Sequence, residues 1–205
     1  MIGPMILAAA VFDEDGLDKL AALKVRDSKK LSVKRRLHLE PLIKEISVDW
    51  KVKEVSPGEI DSMRKTVSLN QIEAEKTCEM LLKLNCQLSK ITVDACDSKA
   101  YRYGGRIVKY FNKCYPEYRL PELVSEHGAD DRYLEASAAS VLAKVARDKS
   151  VEELKLVYGD FGSGYPSDEA TRVWLKKYLG KPLPEIVRKS WNTVNKASQS
   201  SISDF

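Results

Sequence analysis

A chain of 205 residues, 43% hydrophobic and 31% charged, is long enough to bury a core of its own, and that composition excludes disorder across the whole chain. Its net charge of +4 is mildly basic, which agrees with a polyanionic partner without requiring one. No charged n-region with an apolar h-region opens the sequence, and no apolar run approaches the roughly 20 residues of a bilayer span, so a cytoplasmic protein is expected.

The run Met5 to Val11 is apolar throughout and reads as a buried strand. Between Leu23 and Arg36 lie seven bases against the single acid Asp27. From Ile46 to Val55 the apolar Ile46, Val48, Trp50 and Val52 alternate with polar residues, the signature of a half-buried strand that would pair with the first; Pro57-Gly58 then turns the chain. Ser68 followed three residues later by Gln71 makes a capping-box pattern, and Leu69, Ile72, Met80 and Leu84 share one helical stripe, so a helix is predicted over 69–84. Ile91-Thr92-Val93 is a short β-branched strand that stops at Asp94, Arg102 to Asn112 is a second helix, and Leu123-Val124-Ser125 a further strand. Asp130-Asp131 lead into Tyr133 to Asp148, a stretch of alanine, serine, valine and leucine that reads as a helix buried on most sides. Residues 171 to 196 again hold seven bases against Glu185. Strands early, strand and helix in alternation, then helices to the end predict an α/β core over residues 1–150 and a helical extension and tail over 151–205.

The two basic clusters fit a groove that tracks a nucleic-acid backbone, or equally two solvated helix faces. Cys78, Cys86, Cys96 and Cys114 show no C-x-x-C spacing and have only His38 and His127 beside them, so reduced, partly buried thiols are expected rather than a zinc site.

Phosphodiester hydrolysis by two metals needs several carboxylates converging from separate elements, because Mg²⁺ or Mn²⁺ takes oxygen ligands and the pair must be clamped about 4 Å apart. Asp94, at a strand end, and Asp130, just ahead of the alanine-rich helix, are well placed to project from a rigid scaffold. With 30 acidic residues in the chain, each alone is also compatible with a helix cap or a solvated charge.

Five motifs in order narrow the choice: Asp27-Ser28-Lys29-Lys30-Leu31-Ser32, Val93-Asp94, Glu126-His127-Gly128-Ala129-Asp130, Ala138-Ala139-Ser140-Val141-Leu142-Ala143-Lys144-Val145-Ala146-Arg147-Asp148, and Gly162-Ser163-Gly164-Tyr165-Pro166-Ser167-Asp168. Together they resemble ribonuclease HII, from Gly3 to the end of the chain. The resemblance implies a ribonuclease H-like mixed sheet flanked by helices, with a C-terminal helical domain. It implies an endonuclease that cuts RNA in RNA/DNA hybrids, and single ribonucleotides in duplex DNA, on the 5′ side of the ribonucleotide, with Mg²⁺ or Mn²⁺, in DNA replication and repair. It makes Asp94 and Asp130 two of four metal-binding carboxylates. In the family an Asp-Glu-Ala-Gly-Arg-Gly element on the first, central strand stands directly ahead of the Gly-Pro found here as Gly3-Pro4, and this sequence begins after it. The expectation is therefore a misplaced start or a fragment, lacking two carboxylates, a backbone that senses the ribose 2′-hydroxyl, and a strand whose neighbours would leave buried groups unpaired at on the order of 1–3 kcal/mol each. The alternative is an inactive duplex-binding remnant of the family.

By the same resemblance Tyr165 stacks on the deoxyribose after the ribonucleotide, where otherwise it is a loop tyrosine. Ser28, Lys29, Lys30, Arg188 and Lys189 correspond to nucleic-acid-contacting positions, some of which can be plain surface charge. Asn70 corresponds to a substrate contact or supports the helix start, and His127 is a proton carrier, a ligand or a structural hydrogen-bonding group. Gly128 stands where the family usually has lysine. In the tail, Gln199, Ile202 and Phe205 have the spacing of a sliding-clamp docking peptide without its second aromatic, against a disordered serine-rich tail. Similar tails favour an archaeal source, and the family suggests a monomer.

Overall fold

The structure is a computed structural model that describes residues 1–25, 31–178, 180–191 and 194. Its elements run β1 (Met5–Val11), α1 (Glu14–Leu23), α2 (Val33–Ile46), β2 (Asp49–Val55), α3 (Pro57–Met63), α4 (Leu69–Leu81), β3 (Lys90–Asp94), α5 (Ala100–Cys114), β4 (Glu122–Glu126), α6 (Ala129–Arg132), α7 (Leu134–Tyr158) and α8 (Glu169–Lys176). The chain forms two compact units: Met1–Met5 with Glu54–Val67 and Arg147–Phe205, and Ile6–Lys53 with Ser68–Ala146. A change of unit falls within α7, between Ala146 and Arg147. Among the described residues no helix is long and apolar enough to cross a membrane.

In the larger unit β3 and β4 pair in parallel, from Lys90 opposite Glu122 to Asp94 opposite Glu126. A parallel pair cannot be closed by a tight hairpin, and α5 is the crossover. Its buried face, Tyr103, Ile107 and Phe111, packs with Ala74, Cys78 and Leu81 of α4 and Ile91 of β3. Burial pushes the Cys78 thiol up to about 12, so it stays neutral. All four cysteines are free, Cys78 buried, Cys86 half-buried, Cys96 and Cys114 exposed.

β1 pairs with β2, as the alternating pattern predicts. Two details of that expectation change. First, β1 is only half-buried from Ile6 onward. Ala8 to Val11 and, on β3, Lys90 to Val93 line a cavity of about 430 Å³. Successive strand residues point to opposite faces, so lining by consecutive residues means the cavity lies along the strands' edges. Among the described residues no strand stands between β1 and β3. Second, the apolar side of β2 is its more open one: Val48, Trp50 and Val52 are exposed, while Lys51 and Lys53 lie closer in. Lys53 reaches Glu79 at 3.1 Å and Lys51 reaches Asp49 at 2.6 Å, so the polar face is covered through ion pairs, and Trp50 is capped by Lys44 Nζ at 4.2 Å from its ring centre.

Helices α1 and α2 have no counterpart in the sequence-based expectations. Gly16 lies inside the first and Pro41 inside the second, both unfavourable there. The N-caps Asp13, accepting from Gly16 N at 2.8 Å, and Ser32, accepting from Arg35 N at 3.2 Å, start them, and Leu20, Leu39 and Ile43 bury against Ala138, Val141, Leu142 and Val145 of α7. Pro57 also begins a helix rather than a turn: it occupies the first position of α3, where its missing N–H costs nothing, behind the N-cap Ser56.

The smaller unit has its own core, with Ile2, Val151, Phe161, Trp174, Leu175 and Val187 fully or nearly buried. Phe161 and Trp174 meet edge to face at 5.7 Å, and Ile2 forms an antiparallel bridge with Val187.

Candidate active site

β3 and β4 end together, and the segments that leave their C-terminal ends assemble the site in the larger unit. Ala95 N still donates to Glu126 O at 2.9 Å, extending the ladder by one bond. The chain then turns at Gly128, whose φ of +65° and ψ of 33° are left-handed, a conformation glycine adopts without the crowding of a Cβ. That turn starts α6, which carries Asp130. Asp94 Oδ1 accepts from Ala129 N at 3.2 Å, so the strand-end aspartate is tied to the backbone of the residue directly ahead of Asp130.

Their environments differ. Asp94 is exposed, and with Oδ1 on Ala129 its other oxygen is left for a ligand. Asp130 is 2% exposed, with Lys144 Nζ of α7 at 3.8 Å, and that ammonium also donates to Ser140 Oγ at 2.6 Å. A carboxylate this buried requires a counter-charge or hydrogen bonds, and Lys144 supplies charge. Two carboxylates of this kind are hard oxygen donors suited to Mg²⁺ or Mn²⁺, which keep several waters when few protein ligands are present. Among the described residues no group of three or more histidine, cysteine, aspartate or glutamate side chains converges.

Glu126, which opens the motif that ends at Asp130, lies in register with Asp94, a position only the strand pairing reveals. Arg132 holds it at 2.8 Å and also donates to the His127 carbonyl at 2.5 Å. His127 Nδ1 lies 3.2 Å from the Ala95 carbonyl, which gives its ring a structural hydrogen bond.

Asn70 lies in the first turn of α4, but Ser68 caps that helix, accepting from Gln71 N at 3.3 Å. The Asn70 side chain is turned elsewhere: Nδ2 donates to Asp97 Oδ1 at 2.9 Å.

In the smaller unit Tyr165 is 52% exposed on a glycine-rich turn that is bonded at nearly every residue. Asp168 Oδ2 accepts from Ser163 N and Ser163 Oγ, each at 2.6 Å, and these bonds hold its carboxyl at about 2. Gly164 N donates to Thr171 Oγ1 at 3.0 Å, and Thr171 in turn donates to the Phe161 carbonyl at 2.7 Å. Arg147 lies over the Tyr165 ring at 4.6 Å, donates to its hydroxyl at 3.2 Å and to Ser163 O at 3.3 Å. The ring is thereby fixed with one face covered by Arg147, a partner that sequence spacing does not indicate.

Arg188 is 8% exposed; its Nε donates to Gly3 O at 2.9 Å, and its guanidinium packs on Trp191, which Arg64 also approaches at 5.2 Å. Lys189 is exposed, its backbone N–H held by Asp61 at 2.7 Å. Ser28, Lys29, Lys30, Gln199, Ile202 and Phe205 lie outside the described residues.

The family model described as Ribonuclease HII matches residues 1–194. A protein named Ribonuclease HII from Methanococcoides burtonii is 43% identical over 202 residues, 97% of this chain and 94% of that one. Another of that name, from Pyrococcus furiosus, is 42% identical over 97% of this chain and 86% of its own length. Among solved structures, ribonuclease H2 from Pyrococcus horikoshii superposes with a TM-score of 0.87 at 38% identity, covering 99% of this chain and 93% of that one. The complex of PCNA with RNase HII from Archaeoglobus fulgidus matches with a TM-score of 0.82 at 36% identity, covering 100% and 94%. The mixed α/β architecture is the ribonuclease H-like fold of these structures.

Proposed function

The chain belongs to the ribonuclease HII family of endoribonucleases, and from that premise we propose that it hydrolyses the phosphodiester on the 5′ side of a ribonucleotide within an RNA/DNA hybrid or a DNA duplex, leaving 3′-hydroxyl and 5′-phosphate ends. The observation that supports this reading is the hydrogen bond from Ala129 N to Asp94, which ties a strand-end carboxylate to the residue preceding the buried Asp130. Asp94 and Asp130 would hold divalent metal, Mg²⁺ or Mn²⁺, whose chemistry is to activate the attacking water and stabilise the leaving oxygen in a two-metal mechanism. Lys144 balances the charge of Asp130, and Gly128 sets the turn that aims it.

Tyr165, preset by Arg147, offers its exposed ring to the sugar after the ribonucleotide, and Lys189 and Asn70, with Ser28, Lys29 and Lys30, bind the duplex, while the buried Arg188 supports that surface through Gly3 O and Trp191. Phosphate contacts of this kind position a duplex without reading its sequence. A division of labour between residues 1–150 as catalytic core and 151–205 as duplex-binding extension belongs to the same reading. The Archaeoglobus relative in complex with PCNA supports a sliding-clamp partner for the tail residues Gln199, Ile202 and Phe205. The protein acts in the cytoplasm, as a monomer, in replication and repair.

The test is cleavage of a labelled DNA duplex carrying one ribonucleotide, with Mg²⁺ or Mn²⁺, by the 205-residue chain and by a version with Asp-Glu-Ala-Gly-Arg-Gly ahead of Gly3. Incision 5′ of the ribonucleotide by either supports the reading. Two folded proteins that bind the duplex and never cut it would leave the duplex-binding remnant in its place.

A further inference from the structure

Asp97 is the one carboxylate in the loop from β3 to α5, and it is 6% exposed. Its oxygens collect donors from two helices. Asn70 Nδ2 of α4 donates to Oδ1 at 2.9 Å, Arg106 Nε of α5 donates to Oδ2 at 2.8 Å, and a second Arg106 nitrogen reaches Oδ1 at 3.3 Å. Arg106 also donates to Gln71 Oε1 at 3.1 Å, and Gln71 Nε2 to Glu75 Oε1 at 3.0 Å, so the guanidinium ties the cluster along the first turns of α4. The Arg106 guanidinium, opposed by burial and helped by Asn70, holds the Asp97 carboxyl below its ordinary value.

A carboxylate offers acceptors only, whereas a carboxamide carries an acceptor on one side and two donors on the other. Against Asp97, only one of the two orientations of the Asn70 amide makes a hydrogen bond; the reverse would set oxygen against oxygen beside a buried charge. Ser68 already supplies the cap of α4, so the helix end gives no reason for this arrangement.

We propose that Asp97 is a positioning residue: with Arg106 neutralising it, it locks the Asn70 carboxamide in one orientation, so that Oδ1 and one N–H are presented outward to a nucleic-acid duplex. The inference rests on Asn70 being a duplex contact and adds the group that orients it. Arg106 and Asp97 do not touch the duplex in this scheme. Their effect on binding passes through Asn70.

The experiment measures binding of a fluorescein-labelled RNA/DNA hybrid by the full chain in EDTA, so that cleavage plays no part, together with urea unfolding of every variant. Asp97→Asn replaces the carboxylate by an amide that accepts either Asn70 orientation; it should weaken hybrid binding roughly five- to tenfold, the size of one lost well-oriented hydrogen bond. In an Asn70→Ala background the same substitution should add nothing to the binding loss, although it still lowers the unfolding midpoint. An equal loss in both backgrounds would mean Asp97 acts through general stability, and the proposal falls. No hybrid binding by the unaltered chain removes Asn70 as a contact and the positioning role with it. Binding that Asp97→Asn leaves unchanged removes the positioning role alone. Should that variant fail to fold, hydrogen exchange in the unaltered chain decides: one Nδ2 proton of Asn70 should exchange far more slowly than the other, and equal, fast exchange of both would overturn the lock.

Discussion

The turn after β4, which meets the end of β3, and the turn that carries Tyr165 are both built around glycine in a left-handed conformation, at Gly128 and at Gly162 and Gly164, yet they are finished in opposite ways. At the first, Asp94 is exposed and bound through one oxygen to Ala129 N, leaving acceptor capacity open beside Asp130. At the second, Ser163, Gly164, Asp168 and Thr171 satisfy one another and Arg147 clamps the ring. The contrast reflects the role each region would serve. A group that takes up metal must keep lone pairs free in the unliganded state, whereas a stacking platform binds better when its orientation is already fixed, because less entropy is lost on contact.

The largest expected effect tests the open region. In whichever version of the chain cuts a ribonucleotide-containing duplex, Asp94→Asn should lower the cleavage rate at least about a hundredfold while leaving duplex binding intact, since a lost metal ligand exceeds the 10- to 100-fold typical of its supporting groups. Retained cleavage would take Asp94 out of the mechanism.

The glycines separate the two regions by stability. A Cβ on Gly164 would lie 2.9 Å from the Ile2 carbonyl oxygen, at a φ of +75°. Gly164→Ala should therefore cost more than the roughly 1–3 kcal/mol of left-handed strain alone. On Gly128 the nearest atom would be Asp131 Oδ2 at 3.5 Å, an ordinary contact. Gly128→Ala should cost about 1–2 kcal/mol. Urea denaturation compares them directly, and equal costs would mean the Tyr165 turn is no more tightly built than the other.

Removing the clamp is subtler. Arg147→Ala leaves Tyr165 in place but frees its ring, so binding of a duplex with an RNA–DNA junction should weaken about two- to fivefold, the worth of an exposed cation–π contact. A continuous hybrid without the junction serves as the control. If both weaken alike, Arg147 contributes charge rather than ring orientation.

The smallest effect is in acid. Asp168 has a folded value of about 2 against an ordinary 3.8, held down first by the Ser163 hydroxyl. The unfolded chain takes up that proton first as pH falls, so the contribution is fully present above about pH 4 and is lost toward pH 2. Acid unfolding of Asp168→Asn, set beside the unaltered chain, should show a shallower loss of stability across that window. Identical slopes would assign the Ser163 bonds no role in the folded state's preference.

Much of this was readable from local pattern. The capping box at Ser68 and Gln71 marks the start of α4, the apolar run marks β1 at both ends, and Asp94 and Asp130 emerge from ordered motifs, because caps, periodicity and motif spacing are properties of neighbouring residues. Local pattern failed where a residue disfavours an element that tertiary packing then supports, as with Gly16 in α1 and Pro41 in α2, and where a face is covered by ion pairs instead of apolar groups, as on β2.

Sequence alone therefore indicated the fold class, through the resemblance its five ordered motifs carry, and singled out Asp94, Asp130 and Tyr165 as candidates. Only the tertiary structure decided that Glu126 stands in register with Asp94, that Arg147 covers Tyr165, and that Asp97 faces Asn70. Those pairings join residues 32, 18 and 27 positions apart, and nothing in a one-dimensional pattern determines which distant residue meets which until strands are registered and helices packed.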